Sequence, residues 1–441
     1  MDKFWIDLPQ NVDKIITTLQ EHGFEAYAVG GCVRDSILGR IPGDWDITTS
    51  AMPEETKALF QKTFDTGIEH GTVTVLLDGE GYEVTTYRID GEYEDSRHPK
   101  EVIFTRCLEE DLLRRDFTIN AMAYNKKDGL VDLFGGIEDI NKKTIRCVGD
   151  AHARFSEDAL RILRGIRFAA QLGFDIEDGT RKGMEDLAST LKNISAERIQ
   201  VELVKTVISP NPEMLLDAYE IGITKQFLPE FDQMMEAEQE NPHHKWNVGI
   251  HSIRAMENIR NEKVLRLAML LHDVGKPFTK TIDENGIAHF YKHSVEGEVL
   301  VRKILRRLKF DNDTLNKVTK LVLYHDYRMP ATDKNVRWAI NKIGEELFPY
   351  YLEVYRADVL AQSEFEREEK LRHLDELEEI YKDIIEKGQC VSLKTLAVSG
   401  KDLIQAGMKP GKELGDKLVE FLELVLDNPE LNTKEELLSR L

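Results

Sequence analysis

From Ser156 onward apolar residues recur almost everywhere at helical spacing, and this constrains the fold more than any other feature of the chain. Leu160, Leu163, Ile166 and Phe168 form one such run, and Leu265, Ala268 and Leu271 another. Side chains three and four apart make one stripe on a helix but fall on both faces of a strand, so this region must bury its apolar surface by packing helix on helix. The residues before it read differently. Val12, Ile15, Ile16 and Leu19 predict a helix, capped by Asn11 or Asp13 and ended by Gly23. Glu25 to Val29 predicts a strand, which Gly30-Gly31 breaks to open a second helix with Val33, Ile37 and Leu38 on one face. DWDITT is expected as a short strand, and residues 72–88 as a β-hairpin about Asp78-Gly79. The expected class is therefore α+β and multidomain: a head with a mixed sheet, then helices. Breaks at Val148-Gly149-Asp150, at Ser209-Pro210-Asn211-Pro212 and before Cys390 divide it into a head (1–148), a helical neck (149–210), a helical body (211–385) and a helical tail (386–441).

A length of 441 residues suits two to four domains, and 41% hydrophobic residues support globular packing. No stretch approaches the roughly 20 apolar residues of a membrane helix, and MDKFWIDLPQ carries acids and no apolar run. No membrane partner and a cytoplasmic location are expected. Cys32, Cys107, Cys147 and Cys390 are scattered without a CxxC pair, which predicts reduced, structural thiols. The formal net charge of -21 argues against indiscriminate coating of nucleic acid, which depends on neutralising many phosphates. It leaves room for a shaped RNA held by a local basic groove.

Asp44 and Asp46 stand two apart on the expected strand, where both project from one face and can ligate a hard cation such as Mg²⁺. Upstream, Gly30 and Gly31 let backbone amides approach phosphate at a helix start, with Arg34 in the first turn. Nucleotidyl transfer needs this combination of charge stabilisation and positioning. Glu83, on the expected hairpin, is a weaker candidate for a third carboxylate. A DxD alone reads more simply as a solvated turn. Its company is GGCVRDSILGRIPGDWDITTS followed by LLRRDFTINAMAY, and together these resemble the class II tRNA nucleotidyltransferases, the CCA-adding enzymes with their poly(A) polymerase relatives. The resemblance implies a polymerase β-like head, Mg²⁺ on Asp44 and Asp46, and CTP, ATP and the tRNA 3′ end as partners. It assigns Arg114, Arg115 and Asp116 to phosphate and ribose, with Asn120 beside them.

Ser156-Glu157-Asp158-Ala159-Leu160-Arg161 opens the helical region and continues through Arg164. On one helix, Glu157 and Asp158 could both meet Arg161. Cytosine and adenine each present an amine beside a ring-nitrogen acceptor, so Asp158 could accept from the amine while Arg161 donates to the ring. Uracil and guanine reverse the pattern. Glu157 would orient Arg161. An ordinary helix-start salt bridge is the plainer reading of these residues alone, and the order of EDxxR after RRD in the family favours base reading. The resemblance likewise places a loop used for terminal A addition at residues 88–99, and marks SAERIQVEL, with Ser195 as its N-cap, as structural support.

His251, His272-Asp273, His293, His325 and Asp358 fall in the order of an HD-type metal phosphohydrolase spanning about 246–360. His251, His272, Asp273 and Asp358 are the expected ligands, for Mn²⁺, Ni²⁺, Fe²⁺ or Mg²⁺. In the tail, Gly-Lys and Lys-Pro-Gly turns between helices could grip RNA backbone, or the segment could simply pack. The expected activity is CCA addition to tRNA. An A-adding enzyme or poly(A) polymerase is the near alternative, and an HD phosphohydrolase with a nucleotide-binding head the distant one.

Overall fold

The computed structural model describes residues 5–90 and 102–441. The chain divides into two compact units, Met1–Phe227 and Leu228–Leu441.

In the first unit the helix Gln10–Glu21 buries Val12, Ile15, Ile16 and Leu19, as their spacing requires. Its cap is not the expected one. Pro9, with φ fixed at -53°, occupies the N-cap position, and Asn11 and Asp13 lie inside the first turn. Gly23 (φ 87°) ends it, where a left-handed backbone suits glycine. The unit's first nine strands are β1 (Ala26–Val29), β2 (Ile47–Thr49), β3 (Thr63–Gly67), β4 (Thr72–Leu77), β5 (Glu80–Thr86), β6 (Arg88–Asp90), β7 (Val102–Phe104), β8 (Met122–Asn125) and β9 (Gly129–Asp132). Seven of them form one sheet in the order β3-β4-β5-β2-β1-β8-β9, and β6 pairs with β7 apart from it. β2 runs parallel to β5 and antiparallel to β1, so the sheet is mixed. The β4–β5 hairpin turns at Asp78 (φ 50°) and Gly79 (φ 86°), both left-handed, as a two-residue loop requires. The strand expected over DWDITT is shorter. Only Ile47–Thr49 is strand, because Pro42-Gly43 keeps the preceding chain irregular, and Asp44 and Asp46 sit just ahead of it. The Asp46 carbonyl still accepts from the Val29 amide at 3.0 Å, which anchors the DxD to β1.

Past the sheet the unit is almost wholly helical. Asp150 caps the helix Ala151–Glu157 by accepting from the Ala153 amide. The single helix expected through Glu157, Asp158 and Arg161 does not form. Asp158 is extended (φ -140°, ψ 104°), and its carboxylate accepts from the Leu160 amide, which starts a new helix, Leu160–Leu172. A short acceptor side chain competes with the helical ladder, and here it breaks it. This helix packs on Ala196–Val207, whose N-cap position is Ser195, although the serine side chain makes no capping bond.

The second unit is helical apart from a two-stranded ribbon, Thr281–Ile282 with Ala288–His289. Its last helices, Gly400–Gln405, Lys412–Asp427 and Lys434–Leu438, enclose a core of their own that includes Leu403, Phe421, Val425 and Leu437. No helix among the described residues is long and apolar enough to cross a membrane.

Candidate active site

Gly30 follows β1 with φ 83°, a conformation that favours glycine. A Cβ there would also lie 3.1 Å from Arg115 Nη1, a tight contact that would press on the guanidinium. The helix Gly31–Ile37 that follows brings Arg34 to Asn120, with Nη1 donating to Oδ1 at 2.5 Å. Asn120 passes the contact on, its Nδ2 donating to Asp116 Oδ1 at 3.2 Å. The other oxygen of Asp116 accepts from Arg164 Nε at 2.7 Å.

Burial alone would raise the Asp116 carboxyl, but the guanidiniums of Arg164 and Arg161 outweigh it and bring the pKa from 3.8 down to about 2. A carboxyl lowered on folding stabilises the native state fully above its ordinary range, and that contribution is lost as pH falls from about 4 toward 2. Its size is on the order of 2 kcal/mol. Asp116→Asn is expected to lose about that much stability in denaturant melts at neutral pH and to flatten the acid limb of the stability profile below pH 4. An acid limb identical to that of the parent chain would remove this assignment.

Arg114 and Arg115 share Asp111, which is fully buried: Arg114 Nη2 lies 2.8 Å from Oδ1 and Arg115 Nη2 3.4 Å from Oδ2. Burial pushes Asp111 up, and the two guanidiniums more than offset it. Asp46 is raised instead, first by the protein around it and then by the charge of Asp44, with Arg115 opposing. A buried carboxylate pressed by a second one, with arginines beside it, leaves a place for a hard cation. Cys32 lines the same cavity, but burial pushes its thiol up to about 11, so it is not a thiolate.

Gly30, Gly31, Arg34, Asp44, Asp46, Arg114, Arg115, Asp116, Asn120, Asp158, Arg161 and Arg164 all line one cavity of about 560 Å³. Glu157 stands behind it, its Oε2 accepting from Arg161 Nη1 at 2.5 Å. Glu83 lines a smaller neighbouring cavity of about 190 Å³ together with Asp46. The expected contact of Asp158 with Arg161 gives way to Arg198, whose two terminal nitrogens donate to Asp158 at 2.7 and 3.3 Å. Arg161 instead donates to the carbonyls of Arg154 (3.1 Å) and Arg114 (2.9 Å). Asp111, Arg198 and the Phe168 ring, over which the Arg167 guanidinium sits 4.1 Å from the centroid, were not evident from sequence. The position of Arg198 within SAERIQVEL was the one available signal. Of the loop expected at residues 88–99, the part from 91 onward lies outside the described residues.

In the second unit, His251, from the helix Val248–Glu257, meets Asp358, from Phe348–Ala361, with 3.0 Å between Nε2 and Oδ1. His272 caps the end of Lys263–Leu271 and lies 3.2 Å from His251 Nε2 and 3.2 Å from Asp273 Oδ2. The four expected ligands thus converge, all of them buried. Burial would raise both carboxyls, but His272 and Lys276 beside Asp273, and His251 beside Asp358, hold them well below the usual range. Gly275 does more than stop the chain: a Cβ on it would fall 2.1 Å from the His293 carbonyl, so only glycine allows His293 this close.

A family model described as the poly A polymerase head domain matches residues 26–146, and one for a probable RNA and SrmB-binding site of polymerase A matches 173–235. A third, for a putative tRNA nucleotidyltransferase domain 2, matches 283–441. The CCA-adding enzyme of Lactobacillus helveticus is 35% identical over 417 residues, covering 94% of this chain and 92% of that one. The CCA-adding enzyme of Enterococcus faecalis is 34% identical over 96% of this chain and 93% of its own. That of Leuconostoc mesenteroides reaches 53% identity over 213 residues, and this match spans about half the length of that relative. Among solved structures, the Bacillus stearothermophilus CCA-adding enzyme in complex with CTP superimposes with a TM-score of 0.72 at 30% identity, covering 98% of this chain and 96% of that one. The Thermotoga maritima CCA-adding enzyme complexed with tRNA, at 21% identity and a TM-score of 0.60 over 100% of this chain and 98% of that one, shares the fold.

Proposed function

This chain belongs to the CCA-adding enzymes, and on that premise we propose that it adds C, C and A to the 3′ end of tRNA from CTP and ATP, without a nucleic-acid template. The observation that carries the reading is the single cavity into which the Gly30-Gly31 turn, the Asp44 and Asp46 carboxylates, the arginine pair and Asp158 with Arg161 all open. A nucleoside triphosphate in it meets glycine amides and Arg34, Arg114 and Arg115 at its phosphates. Asp116, kept ionised, is an acceptor for a ribose hydroxyl, and Asp158 with Arg161 reads the base. Asp44 and Asp46 would hold Mg²⁺, which when bound supplies the charge that a triphosphate and its leaving pyrophosphate require. The domain reading assigns nucleotidyl transfer to residues 1–148 and base reading to 149–210, with 386–441 as the surface for tRNA. Transcripts ending before CCA, incubated with labelled CTP and ATP and then sequenced, test this: the expected product ends in CCA. Addition to a transcript ending in CC but not to the shorter one would replace the reading with an A-adding enzyme.

A second reading rests on the buried cluster of the second unit. His251, His272, Asp273 and Asp358 form a mixed nitrogen and oxygen set suited to Mn²⁺, Ni²⁺, Fe²⁺ or Mg²⁺, a donor chemistry used to hydrolyse phosphoesters. Metal analysis of the purified chain against His272→Ala tests it, and equal metal content in the two would dismiss this site.

A further inference from the structure

We infer that Asp111 is a positioning residue for nucleotide addition, fixing Arg114 and Arg115 against the strand that follows Asp46. The inference rests on reading the head cavity as the site of nucleotidyl transfer, and it adds a residue that lines neither that cavity nor the smaller one beside it. Asp111 sits fully buried on the helix Leu108–Leu113, and its two oxygens collect donors from three separate parts of the head. Oδ1 accepts from Arg114 Nε and Nη2 at 3.0 and 2.8 Å, and from the Arg88 amide at the start of β6 at 3.4 Å. Oδ2 accepts from the Thr48 hydroxyl on β2 at 3.1 Å and from Arg115 Nη2 at 3.4 Å.

An ion pair that served only a short helix would need none of this. Pairs three and four residues apart work at the surface, where neither charge loses its water, and burying a carboxylate is far more unfavourable than such a pair is favourable. What burial gives here is a rigid link. Thr48 stands two residues beyond Asp46, on a strand whose register with β1 is set by the Ala28–Ile47 pair and by the bond from the Val29 amide to the Asp46 carbonyl. On the far side of the same carboxylate, Asp111 is the only hydrogen-bond partner of the Arg115 side chain among the described residues. Arg115 Nη1 in turn lies close over Gly30. One buried side chain thus spans from the strand behind Asp46 to the guanidinium beside the glycine turn.

Asp46, Arg114 and Arg115 line both cavities of the head and so form the wall between them, and Asp111 ties that wall together. Binding and reaction ask different things of it. A triphosphate is anionic enough to find the two guanidiniums wherever they point, whereas in-line transfer needs its α-phosphate at a set distance from the Asp46 carboxylate. Removing the charge of Asp111 therefore separates the two: arginines without their counter-charge hold a triphosphate more tightly, but out of line.

That separation is the test. Asp111→Asn keeps the shape, but whichever way the amide lies it turns hydrogens toward Arg114 or toward Thr48 and Arg115. In the full chain it is expected to add labelled CMP to a tRNA ending before CCA about 30- to 100-fold more slowly in a single turnover. Calorimetry on the same protein is expected to show CTP bound about three- to tenfold more tightly, because a negative charge near its phosphates is gone. Thr48→Val leaves both guanidiniums their carboxylate and removes only the tie to β2. It is expected to slow addition about five- to tenfold with CTP affinity unchanged, and it carries the test if melts show that Asp111→Asn does not fold. Addition at the parental rate by either variant, or a loss of CTP affinity in Asp111→Asn that keeps step with the rate, would overturn the positioning role. A parent chain that adds no nucleotide would instead sink the proposed activity, and CTP affinity would then decide on Asp111 alone, with unchanged or weaker binding in Asp111→Asn counting against it.

Discussion

Asp46→Asn is expected to slow nucleotide addition roughly a thousandfold, equivalent to about 4 kcal/mol of transition-state stabilisation. The substitution preserves shape and removes charge. Asp46 is held to β1 through its own carbonyl, so the backbone there does not depend on the carboxylate. What is lost is one of two anionic oxygen donors facing a cavity whose other walls carry Arg34, Arg114, Arg115, Arg161, Arg164 and Arg167. Those arginines can still bind triphosphate, so CTP affinity should fall far less than the rate. Single-turnover incorporation of labelled CMP onto a tRNA ending before CCA, beside calorimetric binding of CTP to the same protein, separates the two effects. A rate within tenfold of the parent would mean that the carboxylate has no part in the chemistry.

The second large effect is on selectivity. Asp158→Ala and Arg161→Ala should each reduce the preference for CTP over UTP and for ATP over GTP by about 10- to 100-fold, because each removes a mismatch penalty of roughly 1–3 kcal/mol against the wrong base. Arg198→Ala should show the same defect in weaker form, since it frees the Asp158 carboxylate from the two nitrogens that orient it. Competition between labelled triphosphates during addition gives the ratios directly. Unchanged ratios in all three variants would end the base-reading assignment.

Much of the site was legible because its residues lie in short runs with strong local constraints. Gly30 announces a left-handed turn, Asp78-Gly79 a hairpin, and Arg114-Arg115-Asp116 stays together wherever the chain goes. The break at Asp158 was not legible, because apolar spacing continues on both sides of it and periodicity does not register a single residue that accepts from the backbone. The pairing of Asp158 with Arg198 spans forty residues, and that of Arg114 and Arg115 with Asp111 depends on which side of a short helix faces inward. In the second unit the order of histidines pointed to one set of ligands. Asp273 turns one oxygen toward His272 and the other toward His325, and no linear pattern records that.

One hydrogen bond has a consequence for kinetics. Arg161 Nη2 donates to the carbonyl of Arg114 at 2.9 Å, so the guanidinium proposed to test the base also braces the backbone of a residue at the end of the cavity proposed for the triphosphate. A base that pulls Arg161 out of place therefore loosens the far end of its own nucleotide. Discrimination of this kind acts on alignment for reaction rather than on residence, so the wrong triphosphate should be turned away chiefly in kcat, with KM little changed.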